Sequence, residues 1–153
     1  MLKRLAISLS YSDWRAPPDG SSPPGSLQVY RRDDWPGLAP YLRFDDRATA
    51  CLRARLRFAR SYLLSHRRSL GLSATDVCEE CKAGSAETIV HVICFCDKYA
   101  SARRVLQKEL ASMGVPFTSH VVLGDWKAKP PVIRKILSVT GAFLNSVHEH
   151  RSL

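Results

Sequence analysis

The chain has 153 residues, enough for one ordinary domain, and its 45% apolar and 24% charged residues are typical of a folded globular protein. Its 23 Lys and Arg against 14 Asp and Glu give a net charge of +9. No stretch approaches the ~20 apolar residues of a membrane-spanning helix, and the apolar stretch 5–9 is too short for a secretory signal. Four of the five cysteines lie within residues 78–96, a pattern that predicts a reducing, intracellular location in the nucleus, the cytoplasm or both.

Residues 1–44 are predicted to form a poorly ordered leader. Between residues 16 and 26, nine of eleven are Pro, Gly or Ser, a composition that favours extended and solvated chain. Pro36 and Pro40 interrupt the stretch that follows, although Tyr41 and Phe44 offer apolar groups for packing. The folded domain is therefore expected over residues 45–153.

From Asp45 onward the sequence predicts a long helix. Asp45 or Asp46 can cap its N-terminus, because a carboxylate accepts from the free amides there. Gly71 is placed to end it. Its apolar residues recur at spacings of four and three, and they are Ala48, Leu52, Leu56, Ala59 and Leu63.

The same segment carries most of the excess positive charge. Residues 47–75 contain seven arginines and no acidic residue. Arg53, Arg57 and Arg60 recur at i, i+4 and i+7, which predicts a basic ridge beside the apolar stripe. Such a ridge is either a solvated helix face or a surface that meets a polyanion. The repulsion among uncompensated arginines weakens the first interpretation.

The strongest chemical signal is the pattern Cys78-x2-Cys81-x9-His91-x4-Cys96. Thiolates and imidazoles are the ligands that Zn²⁺ takes in a tetrahedron, and four protein ligands leave no open position. The pattern therefore predicts one structural Zn²⁺. The alternatives are a redox Cys-x-x-Cys motif and incidental buried cysteines. A redox motif would require a βαβ setting that the sequence does not indicate.

Spacing alone does not decide whether Cys94 or Cys96 is the fourth metal ligand. Cys94 lies three residues after His91 and Cys96 lies five after it. On a regular helix the i+3 position is about 60° away and the i+5 position about 140° away, which favours Cys94. Cys96 can reach a metal only if the helix unwinds before it.

Two further helices complete the predicted unit. Asp97 is the expected N-cap of one that Gly114 ends, with Arg103 and Arg104 on its polar side. Pro130 and Pro131 suit the first turn of the last helix. The predicted fold is thus mainly α, with a small helical domain stapled by a CCHC zinc knuckle. The apolar positions of the last helix are Ile133, Ile136, Leu137, Thr140, Phe143, Leu144 and Val147.

Several of these motifs together resemble one family. The chain resembles the C-terminal zinc-binding region of non-LTR retrotransposon reverse transcriptases over roughly residues 43–147. That resemblance selects Cys96 rather than Cys94, although Asp97-Lys98 stands where the family commonly has Pro-Arg. The motifs that carry it are Leu52–Phe58, the cysteine and histidine pattern, Tyr99–Arg104, Val121–Gly124 and Ile136–Leu144.

The resemblance implies a detached, non-catalytic part of a larger polyprotein, since the family's Tyr-x-Asp-Asp polymerase motif is missing from the sequence. We therefore expect no enzyme, no small-molecule substrate and no membrane partner. One hypothesis is a module that binds RNA or DNA, with single strands favoured. The other is a zinc-stabilised protein-interaction or scaffolding module. The arginines expected to contact nucleic acid are Arg53, Arg57, Arg60, Arg103 and Arg104.

Overall fold

The structure is a computed structural model that describes residues 39–81, 83–126, 128–150 and 153. Within these residues the protein is mainly helical, as the sequence predicts. A π-helical turn (His91–Phe95) and a 3₁₀ turn (Asp97–Tyr99) separate the third and fourth helices. In chain order the helices are α1 (Pro40–Phe44), α2 (Arg47–Arg57), α3 (Leu64–Ser69), α4 (Ala100–Ser112), α5 (Ser119–Val122) and α6 (Pro130–His150).

The last helix, α6, is the element against which α1, α2, α4 and α5 all pack. Pro130 stands at its start, where a missing amide hydrogen costs little. The apolar stripe predicted for this helix is confirmed. No helix among the described residues combines the length and apolar character needed to cross a membrane. The buried residues of α6 are Ile133, Ile136, Leu137, Thr140, Gly141, Phe143, Leu144 and Val147.

The N-terminal boundary of the helical unit lies before residue 45. Residues 1–38 of the predicted leader lie outside the described residues, but α1 falls inside the segment 1–44. Pro40 begins α1, and Tyr41 is buried against Ala50, Ile133 and Leu137. The aromatic residues that the sequence offered for packing therefore extend the helical unit to Pro40.

The single long helix predicted from Asp45 toward Gly71 is wrong, because the chain breaks in the middle. Asp46 caps α2 by accepting from the Thr49 amide at 3.0 Å, but the helix ends at Arg57. Ala59 then adopts a left-handed conformation with φ +52°, and a new helix starts at Leu64. A carboxylate oxygen of Glu87 accepts from the Leu64 amide at 2.8 Å. Tertiary hydrogen bonding thus begins a second helix where periodicity predicts a continuous one.

Arg53 lies at the centre of the core and is 0% exposed, so its predicted place on a basic ridge is wrong. Its Nε donates to Asp45 at 2.8 Å. Its other nitrogens donate to the carbonyl of Val122, the carbonyl of Leu137 and the hydroxyl of Thr140. A buried guanidinium is stable only when such partners replace its water. Arg53 therefore joins α5, α6 and the residue that follows α1 to α2.

Two glycines make room for this arginine. At Gly124, with φ +81°, an added Cβ would lie 3.0 Å from the Arg53 Cδ. At Gly141, an added Cβ would lie 3.5 Å from the Arg53 Nη2 and 3.0 Å from the Thr49 methyl carbon. Leu123-Gly124 and Thr140-Gly141, which belong to two of the motifs noted in the sequence, thus both contact the buried Arg53 side chain.

Candidate metal centre and arginine surface

Four side chains that could hold a metal ion lie together between α3 and α4. The ligand atoms of Cys78, Cys81, His91 and Cys96 all lie within 4.8 Å of one another. The Cys78 and Cys96 sulfurs are 3.9 Å apart, and the Cys81 sulfur lies 3.3 Å from the His91 Nε2. A tetrahedron with metal–sulfur bonds of ~2.3 Å has corners about 3.8 Å apart. The four atoms therefore approximate the corners of such a site.

A tight loop presents the first two sulfurs. Val77 pairs with Ala86 in an antiparallel bridge, and the Cys78 amide donates to the Ser85 carbonyl at 2.9 Å. Gly84, with φ +62°, adopts the left-handed conformation that returns the chain. The Cys-x-x-Cys segment is thus held at the closed end of a small hairpin.

The π-helical turn determines which later cysteine joins the cluster. Two helical residues precede this turn, and before them the Thr88 hydroxyl accepts from the His91 amide at 3.1 Å. The Cys96 amide donates to the His91 carbonyl at 2.8 Å, and Cys96 itself is extended with ψ 123°. The helix therefore widens and then unwinds before Cys96, which brings its sulfur to the cluster. Cys94 lies outside the group of four.

Arg103 supports this unwound turn from α4. Its side chain is buried and donates to the Cys96 carbonyl at 3.0 Å and to the Ile93 carbonyl at 3.4 Å. These carbonyls have lost their helical partners because the helix ends there. The exposed position predicted for Arg103 on the polar side of the helix is therefore wrong, and its buried side chain supports the turn that carries a candidate ligand. Sequence reasoning missed this role because the charge of Arg103 indicated a surface residue.

Glu87 connects the candidate metal centre to α3 and is fully buried. One carboxylate oxygen caps Leu64, while the Cys78 thiol lies 3.9 Å from the other. The Glu87 carbonyl also accepts from the Ser65 hydroxyl at 2.8 Å. The sequence indicated no role for Glu87 beyond its contribution to the net charge. Its burial between Leu64 and Cys78 follows from tertiary contacts, which leave no periodic pattern in the sequence.

The thiols of the cluster are in an environment that favours their protonated form. Burial raises the pKa of Cys96 to about 12, and the neighbouring sulfurs of Cys78 and Cys81 act in the same direction. Burial likewise raises the pKa of the Cys78 thiol. Thiolates crowded together in a low-dielectric site repel one another, and a divalent cation relieves that repulsion. The arrangement is chemically suited to a cation and unsuited to three bare thiolates.

The arginines expected at a nucleic-acid surface divide into two groups. Arg53 and Arg103 are buried, and Arg57 is half-buried with its side chain donating to the Leu123 carbonyl at 3.0 Å. Arg60 and Arg104 are exposed, and neither forms an ion pair with any described residue. Other exposed arginines in the described part, among them Arg43, Arg47, Arg55, Arg67 and Arg134, were not singled out from the sequence.

Comparison of the chain with protein-family models, curated proteins and solved structures finds no match. The residues and their geometry therefore carry the functional argument.

Proposed function

We propose that the protein is a non-catalytic zinc-binding module that binds nucleic acid. The observation that carries the zinc half is the group of three sulfurs and one imidazole nitrogen within 4.8 Å. This donor set matches the preference of Zn²⁺, and four protein ligands leave no position for a substrate or reactive water. Zn²⁺ in such a site stabilises the fold and performs no chemistry.

Charge supports the nucleic-acid half. Arg55, Arg60 and Arg67 are exposed in the acid-free segment 47–75, and Arg104 is exposed on α4. Arginines gain affinity for phosphate by releasing counterions, and they bind it with paired donors. These exposed arginines replace the ridge expected from Arg53, Arg57 and Arg60, of which only Arg60 is exposed. The resemblance to the tail of a non-LTR retrotransposon reverse transcriptase, and an origin in a larger polyprotein, belong to the same proposal.

The zinc proposal is tested by metal analysis of the full chain and of two matched variants. We expect one Zn²⁺ per chain in the parent and in Cys94→Ser, and none in Cys96→Ser. A strong chelator should also reduce the helical circular dichroism signal, because the metal contributes folding free energy. A parent chain without zinc, or equal zinc in both variants, would contradict the proposed ligand set.

The nucleic-acid proposal is tested by titrating the zinc-loaded chain with single-stranded oligonucleotides at several salt concentrations. If about three phosphates are neutralised, the slope of log affinity against log salt should be roughly −2 on single strands. Replacing Arg55 and Arg60 together by Gln should weaken binding to every sequence and reduce the slope by about one unit. The control is Arg57→Gln, which removes one positive charge from a half-buried side chain and should change the slope less than the double variant does. Weak, salt-insensitive binding would favour the protein-interaction alternative.

A further inference from the structure

The break between α2 and α3 displays two aromatic rings to solvent. Phe58 is 56% exposed and Tyr62 is 63% exposed. Large aromatic side chains usually contribute most of their area to a core or an interface. Both rings lie within five residues of the chain, and the exposed Arg60 lies between them in sequence.

The backbone that carries these rings is firmly held. The Arg60 amide donates to the Arg55 carbonyl at 2.8 Å, and the His66 ring nitrogen lies 2.6 Å from the Ser61 carbonyl oxygen. Ser61 and Leu63 are buried on either side of Tyr62. The loop backbone is thus anchored on both sides of Tyr62, so the Cα positions of the two rings are fixed before a ligand binds. A preorganised backbone loses less conformational entropy on binding.

The electrostatic setting identifies the occupant. The exposed Arg55 and Arg60 form no ion pair with any described residue, and no acidic residue occurs from 47 to 75. A ligand here must offer negative charge and flat apolar faces together. Single-stranded nucleic acid offers both, because its phosphates repeat along the backbone and its bases expose their faces. A duplex hides those faces within its stack, and an acidic peptide has few flat ones.

We infer that the loop Phe58–Tyr62 is a base-stacking platform for single-stranded nucleic acid, with Phe58 and Tyr62 receiving bases and Arg55 and Arg60 receiving phosphates. This inference rests on the proposed function and adds a mode of recognition to it. The platform tolerates any sequence because every base has a flat face. It discriminates single strands from duplexes and from polyanions that lack bases.

The test uses the full zinc-loaded chain and two probes of equal length and charge, oligothymidylate and an abasic oligonucleotide. The parent should bind oligothymidylate more tightly than the abasic strand. Phe58→Leu with Tyr62→Leu should weaken oligothymidylate binding by about tenfold for each ring and leave abasic binding and the salt slope unchanged. Phe58→Tyr with Tyr62→Phe keeps both rings and should bind as the parent does. Zinc content and circular dichroism verify that each variant is folded.

Each failure has its own meaning. Equal affinity of the parent for the two probes, or unchanged oligothymidylate affinity in the double-Leu variant, overturns the stacking platform and leaves phosphate binding in place. A parent that binds neither probe overturns the proposed nucleic-acid function and the platform with it. Competition by polyglutamate as strong as by oligothymidylate would assign the loop to an acidic protein and would also overturn the inference. The comparison of probes on the parent needs no variant to fold.

Discussion

Arg53 and Asp45 form an ion pair that is closed off from solvent, with 2.8 Å between the Arg53 Nε and an Asp45 carboxylate oxygen. Their side chains are 0% and 3% exposed. Burial raises the pKa of Asp45, and the guanidinium beside it opposes that rise. A buried ion pair contributes little to folding stability unless the other N–H groups of the arginine also have acceptors. Here both terminal nitrogens of Arg53 have acceptors in Val122, Leu137 and Thr140, so the ion pair helps to fix how segments distant in sequence pack together.

Replacement of Arg53 by Met should lower the free energy of unfolding by about 3–5 kcal/mol, because Asp45 would keep a buried charge without its partner. Urea denaturation monitored by circular dichroism measures the loss. Arg57→Met is the matched control on the same helix. Arg57 is half-buried, donates to the Leu123 carbonyl and lies over the Tyr41 ring, so its loss should cost about 1–2 kcal/mol. Equal effects at the two positions would refute a special role for Arg53.

Gly124→Ala should destabilise the protein more than Gly114→Ala does. Both glycines have positive φ, +81° and +67°, so each substitution carries a backbone cost of about 1–2 kcal/mol. Only at Gly124 would the new Cβ meet neighbours, with the Arg53 Cδ at 3.0 Å and a Leu137 methyl carbon at 3.3 Å. The crowding should add about 1–3 kcal/mol in chemical denaturation. Identical losses would show that Arg53 can shift freely.

Arg103→Met should weaken zinc binding by about 10–100-fold, the range typical of residues that orient a metal ligand. The cause is the loss of both hydrogen bonds to the unwound turn, at the carbonyls of Cys96 and Ile93. Competition with a chromophoric chelator measures the affinity. Arg104→Met changes the same charge on the neighbouring, exposed position and should leave the zinc affinity unaltered. A reduced affinity in both variants would indicate a general effect of charge.

Asp46 should stabilise the folded protein at neutral pH and lose this effect in acid. Hydrogen bonds from Thr49 lower the pKa of Asp46 below its ordinary value of 3.8. The stabilisation by a carboxylate with a lowered pKa is fully present above the unfolded value and is lost as pH falls through the folded value. Asn also caps helices but does not titrate. The stability of the parent relative to Asp46→Asn should therefore decline as pH falls below about 4.

The pH experiment compares urea midpoints of the two chains at each pH, so that loss of metal at low pH affects both alike. A difference that stays constant from pH 6 to pH 2 would contradict the role of the Asp46 carboxylate.

The sequence was sufficient for the apolar face of the last helix, although Ala48 of the stripe predicted for the first helix is exposed. The stripe along α6 repeats over about four turns, from Ile133 to Val147, and every predicted position is buried. The four metal-ligand candidates also follow from spacing and resemblance, since short local segments bring them together. Arg53 could not be predicted in the same way. Its partners lie 8, 69, 84 and 87 residues away, and a charge count contains no information about them.

The break in the first long helix was missed for a related reason. Ala59 is neither Gly nor Pro, and Leu63 fits the apolar stripe of a continuous helix. The new start at Leu64 depends on the Glu87 carboxylate, which is 23 residues away. Helix ends that are capped by tertiary contacts leave no local signature.

The position of Arg53 also has a consequence for how the chain is made. A ribosome releases α2 long before Val122, Leu137 and Thr140 exist, so the guanidinium must remain hydrated while most of the protein is synthesised. All four candidate metal ligands emerge in that interval, before the first residue of α6. A nascent chain can therefore close its cysteine and histidine loop first, whereas the interior around Arg53 can close only after α6 has been released.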